Sequence, residues 1–243
     1  MIMVDLVGLH DDPLTNIYCA YDEANIHELD AVIVGPEGTP YHGGFYCFRI
    51  NFSTRYPFEP PRVRFLTNNP MARFNPNLYE SGKVCLSILG TWEGPGWTSA
   101  MNLKSLLLSL QSLLSNNPLH NEPGMEKESP ASTRNKDFNE IVSYYNISDA
   151  IIKTLAEPHV PRLKDAIHEH FLKNVDAYEG IFDSLKDRPS RTVRSCYQAL
   201  VNMDWVTTRL RLERTMKGVR RNGRAAIETV KVGKENNLME VET

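Results

Sequence analysis

At 243 residues the chain can hold one sizeable core and an appendage, since domains usually run about 100–200 residues. Its 41% hydrophobic and 23% charged residues are those of a globular protein, and a formal net charge of −3 supplies no basic face for nucleic acid. No apolar stretch approaches the roughly 18–20 residues of a membrane span, so no membrane partner is expected.

The start, MIMVDLVGLHDD, lacks a basic segment followed by a long apolar run, so no secretory signal is expected. ELDAVIV reads as a strand ending at GPEGTPYHGG, a long turn punctuated by Gly and Pro. FYCFRINF then places Phe48, Ile50 and Phe52 two apart, the alternation of a half-buried strand. Three prolines in STRYPFEPP break it, because proline cannot donate to a ladder. RVRFL resumes the sheet with Val63 and Phe65 on one face. Short turns between such runs predict an antiparallel meander.

FNPNLYESGKVCLSILG follows, then GTWEGPGWTSAMN, a Gly- and Trp-rich loop. LKSLLLSLQSLL carries Leu103, Leu106, Leu107, Leu110, Leu113 and Leu114, a stripe broad enough to face a core, and SNNP ends it. From Asp137 onward the spacing turns helical. DFNEIVSYYNISDAIIKTL and PRLKDAIHEHFLKNVDAYEGIFDSL both mix steps of three and four, with Pro161 suited to a helix start. RSCYQALVNMDWVTTRLRLERTMKGV predicts a further helix, and the polar stretch after it a frayed helix or loose tail. The division expected is 1–129 for an α+β core, 130–218 for a helical extension and 219–243 for the tail.

Four cysteines, Cys19, Cys47, Cys85 and Cys196, lie far apart with no CxxC pair and no Cys/His cluster. That pattern argues against a disulfide scaffold or structural zinc, and fits free thiols in a reducing compartment. Cys47, within a strand, reads as packed.

Several of these pieces together resemble the ubiquitin-conjugating enzyme family. GPEGTPYHGGFYCFRINFSTRYPFEPPRVRF is similar to its meander and Pro-rich loop, NPN…GKVCLSIL to its active-site signature, and GTWEGPGWTSA with the leucine helix to its tryptophan loop and the helix beneath it. RFNPN, GKVCLSILGTW and HNEPG resemble the Z-type subgroup, and the helical extension through about Gly218 is similar to that subgroup's as well. The resemblance implies a four-stranded antiparallel meander packed on a central helix, with a C-terminal helical extension. It also implies cytoplasmic or nuclear work on ubiquitin or a ubiquitin-like modifier. The modifier comes from a ubiquitin-activating enzyme that consumes the ATP, so the chain itself needs no cofactor or metal. A RING or HECT type ligase and protein substrates complete the partners.

The resemblance makes Cys85 the nucleophile. A thiolate is strongly nucleophilic, and its thioester survives between steps yet reacts with amines. Asn77 matches the family asparagine that stabilises the oxyanion or holds the loop that does so. A positioned amide of that kind is worth about 3–4 kcal/mol. Where many members have His-Pro-Asn this chain has Asn75-Pro76-Asn77, so Asn75 is expected to brace the loop by another hydrogen bond. An attacking lysine, with pKa near 10.4, is about one part in a thousand neutral at pH 7 and needs help losing its proton. His120 and Glu122, just past the leucine helix, are the candidates, alongside a plain loop role for either. Trp97 marks the loop, whose GTWEGPG insertion is placed to restrict access to Cys85.

Phe58, Ser99 and Ala100 fall where family members grip ligases, and an aromatic set between prolines invites a covering partner. Trp97-Thr98-Ser99-Ala100 lacks the proline common at the third of these positions. The acidic N-terminus also differs from the basic first helix typical of the family, which implies an abbreviated helix or a late start, and a selective activating enzyme. Two other readings stay open: a catalytically silent ubiquitin-binding module of the same fold, and a thiol hydrolase, which the absence of a Cys/His protease signature disfavours. The enzymatic reading requires the Cys85 sulfur to be accessible.

Overall fold

The computed structural model describes residues 1–71 and 73–239, with side chains described as far as residue 223. The acidic opening stretch forms helix α1 (Ile2–Asp11), burying Ile2 and Leu6. Part of its acidity has a structural use. Asp5 accepts the backbone N–H of Leu103 at 3.0 Å and the hydroxyl of Tyr56, so one carboxylate ties α1 to a loop and to the start of the next helix. A negative charge there is favoured by the helix dipole.

Strands β1 (Ile17–Asp22), β2 (Asn25–Val34), β3 (Phe45–Asn51) and β4 (Arg62–Phe65) lie in sequence order, every neighbour antiparallel. This is the expected meander; β1, whose IYCAYD lacks a clean alternation, is not singled out by its spacing. The central strands are not half-buried. Leu29, Ala31, Ile33, Phe48 and Ile50 face a core shared with Leu103, Leu106, Leu107 and Leu110 of helix α2 (Leu103–Ser112). Each such leucine contributes about 1.5–3 kcal/mol by leaving water, and that burial holds α2 against the sheet. Val32, Val34, Phe45 and Cys47 point the other way, into a second core. The run AVIV carries apolar side chains on both faces, as a strand covered on both sides requires.

The second core is the extension. Helix α3 (Thr133–Tyr145) continues into a π-helical stretch, Asn146–Lys153, and a last turn α4 (Thr154–Ala156). Pro161 opens a 3₁₀ turn into α5 (Lys164–Lys173), followed by α6 (Val175–Ser184). The helix predicted from Arg194 is corrected: Arg191–Arg194 (β5) and Leu200–Met203 (β6) form a hairpin, and helix α7 runs only from Trp205 to Met239. Thr192, Val193 and Val201 supply the β-branched residues, while the turn places Gln198 at φ 67° instead of using Gly or Asn. The segment expected to loosen after 219 is helical to Met239; residues 240–243 lie outside the described residues. Among the described residues no helix is long and apolar enough to cross a membrane.

Polar contacts fix the extension to the sheet. Asn146 accepts from the Tyr46 hydroxyl at 2.7 Å and donates to the His42 carbonyl at 2.9 Å. Its approach explains the second glycine of the HGG turn, since a Cβ on Gly44 would sit 1.9 Å from Asn146 Oδ1. Asp30, fully buried on the outer face of β2, accepts from Arg49 at 2.9 Å and from Arg162 of the extension at 3.1 Å.

Candidate active site

The NPN segment lies against the end of the leucine helix. Asn75 is fully buried and every part of its amide is used. Nδ2 donates to the Leu113 carbonyl at 2.8 Å and to Tyr41 Oη at 3.3 Å. Oδ1 accepts the Asn77 N–H at 2.8 Å and the Asn121 side chain at 3.3 Å. The first bond of the second pair is a side chain closing a turn on the backbone two residues on, chemistry for which asparagine is suited.

Asn77 and Cys85 are locked to each other. The Cys85 N–H donates to the Asn77 carbonyl at 2.9 Å, and the Asn77 amide donates back to the Cys85 carbonyl at 2.7 Å. One of the two amide hydrogens of Asn77 therefore holds the loop. Cys85 itself exposes 1% of its surface, so in this conformation the sulfur is closed over, contrary to the accessibility that the sequence reading requires. A reagent could reach this sulfur only if the surrounding segments parted.

Thr91, which the sequence reading does not single out, clasps both neighbours of Cys85. Its hydroxyl donates to the Val84 carbonyl at 2.8 Å and accepts the Leu86 N–H at 3.0 Å, while its own N–H bonds the Leu86 carbonyl at 3.2 Å. Only its position six residues after Cys85, in a loop otherwise rich in Gly, hints at this use. The next residues, Trp92 and Glu93, line a cleft of about 630 Å³ together with Asn77, His120, Asn121 and Pro123. The insertion thus borders the cleft beside Asn77.

The two proton-acceptor candidates part company here. His120 lines the cleft, and its Nε2 bonds the Glu128 carbonyl at 2.8 Å. A carbonyl can only accept, so Nε2 carries the hydrogen and Nδ1 of the neutral ring is left with the lone pair. Glu122 does not line the cleft; its carboxylate accepts the hydroxyl of Tyr197, in the extension, at 2.6 Å.

Trp97 fastens two loops. Its indole N–H donates to the Pro57 carbonyl at 2.7 Å and its ring packs on Tyr56. This ties the segment carrying Phe58 to the one leading into Ser99 and Ala100. Phe58 is 78% exposed, and Ser99 and Ala100 are exposed too. Burial pushes the thiols of Cys19 and Cys47 up to about 12, and burial also raises Cys196. Among the described residues no group of three or more His, Cys, Asp or Glu is arranged to hold a metal ion.

The model of a family described as "Ubiquitin-conjugating enzyme" matches residues 1–146. Ubiquitin-conjugating enzyme E2 Z of Xenopus tropicalis is 40% identical over 187 residues, covering 76% of this chain and 58% of that protein. The Homo sapiens E2 Z is 40% identical over 179 residues, covering 72% of this chain and 50% of that protein. A probable ubiquitin-conjugating enzyme protein 17 of Caenorhabditis elegans is 39% identical over 163 residues, covering 64% of this chain and 22% of that protein. This chain thus spans about half the length of the E2 Z relatives, and the match over its first 146 residues carries the conclusion that it belongs to the ubiquitin-conjugating enzyme family, in its Z-type branch.

Proposed function

We propose that the chain carries ubiquitin or a ubiquitin-like modifier as a thioester on Cys85 and passes it to a lysine amine or to a ligase cysteine. The observation that carries this reading is the reciprocal pair of hydrogen bonds between Asn77 and Cys85, at 2.9 and 2.7 Å, which sets an amide donor on the same loop as the thiol. The modifier arrives from an activating enzyme that spends the ATP. The Cys85 thiolate attacks the incoming thioester carbonyl, the new C–S bond forms, and the activating enzyme's sulfur leaves.

In the second step an amine nitrogen enters the cleft beside Asn77 and attacks the thioester carbonyl carbon. Negative charge grows on the carbonyl oxygen, where the remaining Asn77 N–H stabilises it. The nitrogen gives its proton to His120 Nδ1, the C–S bond breaks, and Cys85 leaves as a thiolate. Glu93 and Trp92 at the cleft rim favour a cationic side chain with an aliphatic stem. Phe58, Ser99 and Ala100 form the exposed surface for a RING or HECT type ligase.

The test is charging by each activating enzyme with ubiquitin and ATP, followed by non-reducing electrophoresis. A band heavier by one modifier, lost on reduction and absent from Cys85→Ala, is expected. No such band with any activating enzyme and modifier would leave only a silent binding module.

A further inference from the structure

The hairpin of the extension straddles the two cores. Val193, Val201 and Met203 of its strands belong to the core on the outer face of the sheet, whereas Cys196 and Tyr197 at its tip pack against the core around α2. Tyr197 is gripped from three directions. Its ring meets Phe138 of α3 edge to face with centroids 6.4 Å apart, and the Arg73 guanidinium lies 5.0 Å from its centroid. Its hydroxyl donates to Glu122 at 2.6 Å. Arg73 also sits 3.7 Å from the centre of the Tyr79 ring, two residues beyond Asn77, so the aromatic stack reaches the catalytic segment itself. Cation–π contacts of this kind hold a ring in place by attraction between the cation and the face of the ring.

The loop that Tyr197 holds has other tethers from the extension. Asn135 donates to Asn117 at 3.2 Å and Asn139 to the Asn116 carbonyl at 3.1 Å, both from α3. On its far side Asn121 reaches Asn75 at 3.3 Å. His120 and Asn121 therefore face the cleft from a segment pinned between the extension and the NPN turn.

We propose that Tyr197 is a positioning residue for transfer to amines: by holding Glu122 it keeps His120 and Asn121 at the cleft beside Asn77, which makes the extension part of the acceptor site. This rests on the reading of that cleft as the place where the amine attacks. Glu122 is then an anchor, and its carboxylate takes no proton. Burial, followed by the Glu122 contact, holds the Tyr197 hydroxyl in its protonated, donating form by raising its pKa.

The experiment uses the full chain in single-turnover discharge of the charged Cys85 thioester, with free lysine and free cysteine as alternative acceptors. Cysteine attacks through its thiolate and needs no proton acceptor for an ammonium. Tyr197→Phe keeps the stacking and removes only the hydroxyl. It should slow discharge onto lysine by about tenfold, the scale on which small misplacements act, while charging and discharge onto cysteine stay at the parent rates. Glu122→Ala should match it. Glu122→Gln, whose amide oxygen still accepts the hydroxyl, should keep most of the lysine rate. Lysine discharge by Tyr197→Phe at the parent rate, or an equal slowing with both acceptors, overturns the proposal. A Glu122→Gln variant as slow as Glu122→Ala also overturns it, because Glu122 would then be the proton acceptor. Failure of the parent chain to charge at all strikes the thioester reading instead.

Discussion

The proposed mechanism asks two things of the one Asn77 amide, and the two can be separated by measurement. One hydrogen locks the Cys85 carbonyl, and the residue lines the cleft. Asn77→Ala should therefore reduce discharge onto lysine by roughly 100-fold, as loss of one oxyanion donor does, while charging falls much less. Single-turnover gels of both half-reactions check this, and equal losses in the two would leave Asn77 with a loop-holding role alone. Cys85 and Asn77 were legible in the sequence because their surroundings are contiguous: NPN, a turn and KVCLSIL all lie between Phe74 and Gly90. Tyr197 was not, since it meets Glu122 across 75 positions and no local pattern announces such a pair. The closure of Cys85 was equally hidden, because burial of a thiol depends on what folds over it and not on its neighbours in the chain.

At the level of loops and helices, the Thr91 clasp and the Gly43–Gly44 turn each convert a short motif into a position in space. Thr91→Val keeps the shape of the side chain and removes its hydroxyl from both the Val84 and Leu86 partners. Losing bonds that water can partly replace costs no more than about 0.5–1.5 kcal/mol, here felt in the fold of the Cys85 loop. Slower charging with little change in melting temperature is expected, and an unchanged charging rate would remove Thr91 from the site. Gly44→Ala drives a methyl into Asn146 and the Tyr46 ring, which lies 2.9 Å from the added Cβ. A loss of about 1–3 kcal/mol in denaturant unfolding should follow, the usual range for overfilling a packed site. The sequence marks this glycine pair only as turn punctuation, whereas the structure gives Gly44 a docking reason that no local rule contains. The hairpin escaped for a related cause: Ala199 and Leu200 read as helix formers, and its turn uses Gln198 in a left-handed conformation where a Gly or Asn would have been noticed. The leucine helix was plain because its period is set by burial on a single face, and the meander because Gly and Pro turns punctuate its apolar runs.

For the molecule as a whole, the extension is a second layer, and part of its attachment is sensitive to acid. His170 of α5 bonds the Tyr18 hydroxyl of β1 at 2.8 Å and packs edge-on to Phe45, with Lys173 close by. Burial, and then Lys173, lowers its pKa; burial, and then Lys153, does the same for His159, against the opposing pull of Asp149 and Glu157. A histidine whose folded pKa is depressed binds its proton more readily when unfolded. Stability is then complete above the ordinary histidine pKa of about 6.5 and falls as the pH drops below it. The urea midpoint should be flat from pH 7 to 8 and decline between pH 6.5 and 5. His170→Gln should flatten that decline, and an unaltered slope would assign the acid sensitivity elsewhere.

Central strands covered on both sides have a consequence in time as well as in space. The amide hydrogens of β2 and β3 can reach deuterated solvent only when one of the two helical coats lifts away, and neither coat can leave without stripping the apolar residues beneath it. Hydrogen exchange should record these two strands as the slowest segments, opening together with α3 and the π-helical stretch behind them. Had the outer layer been a detachable ornament, Val32 and Phe45 would exchange well ahead of Leu107.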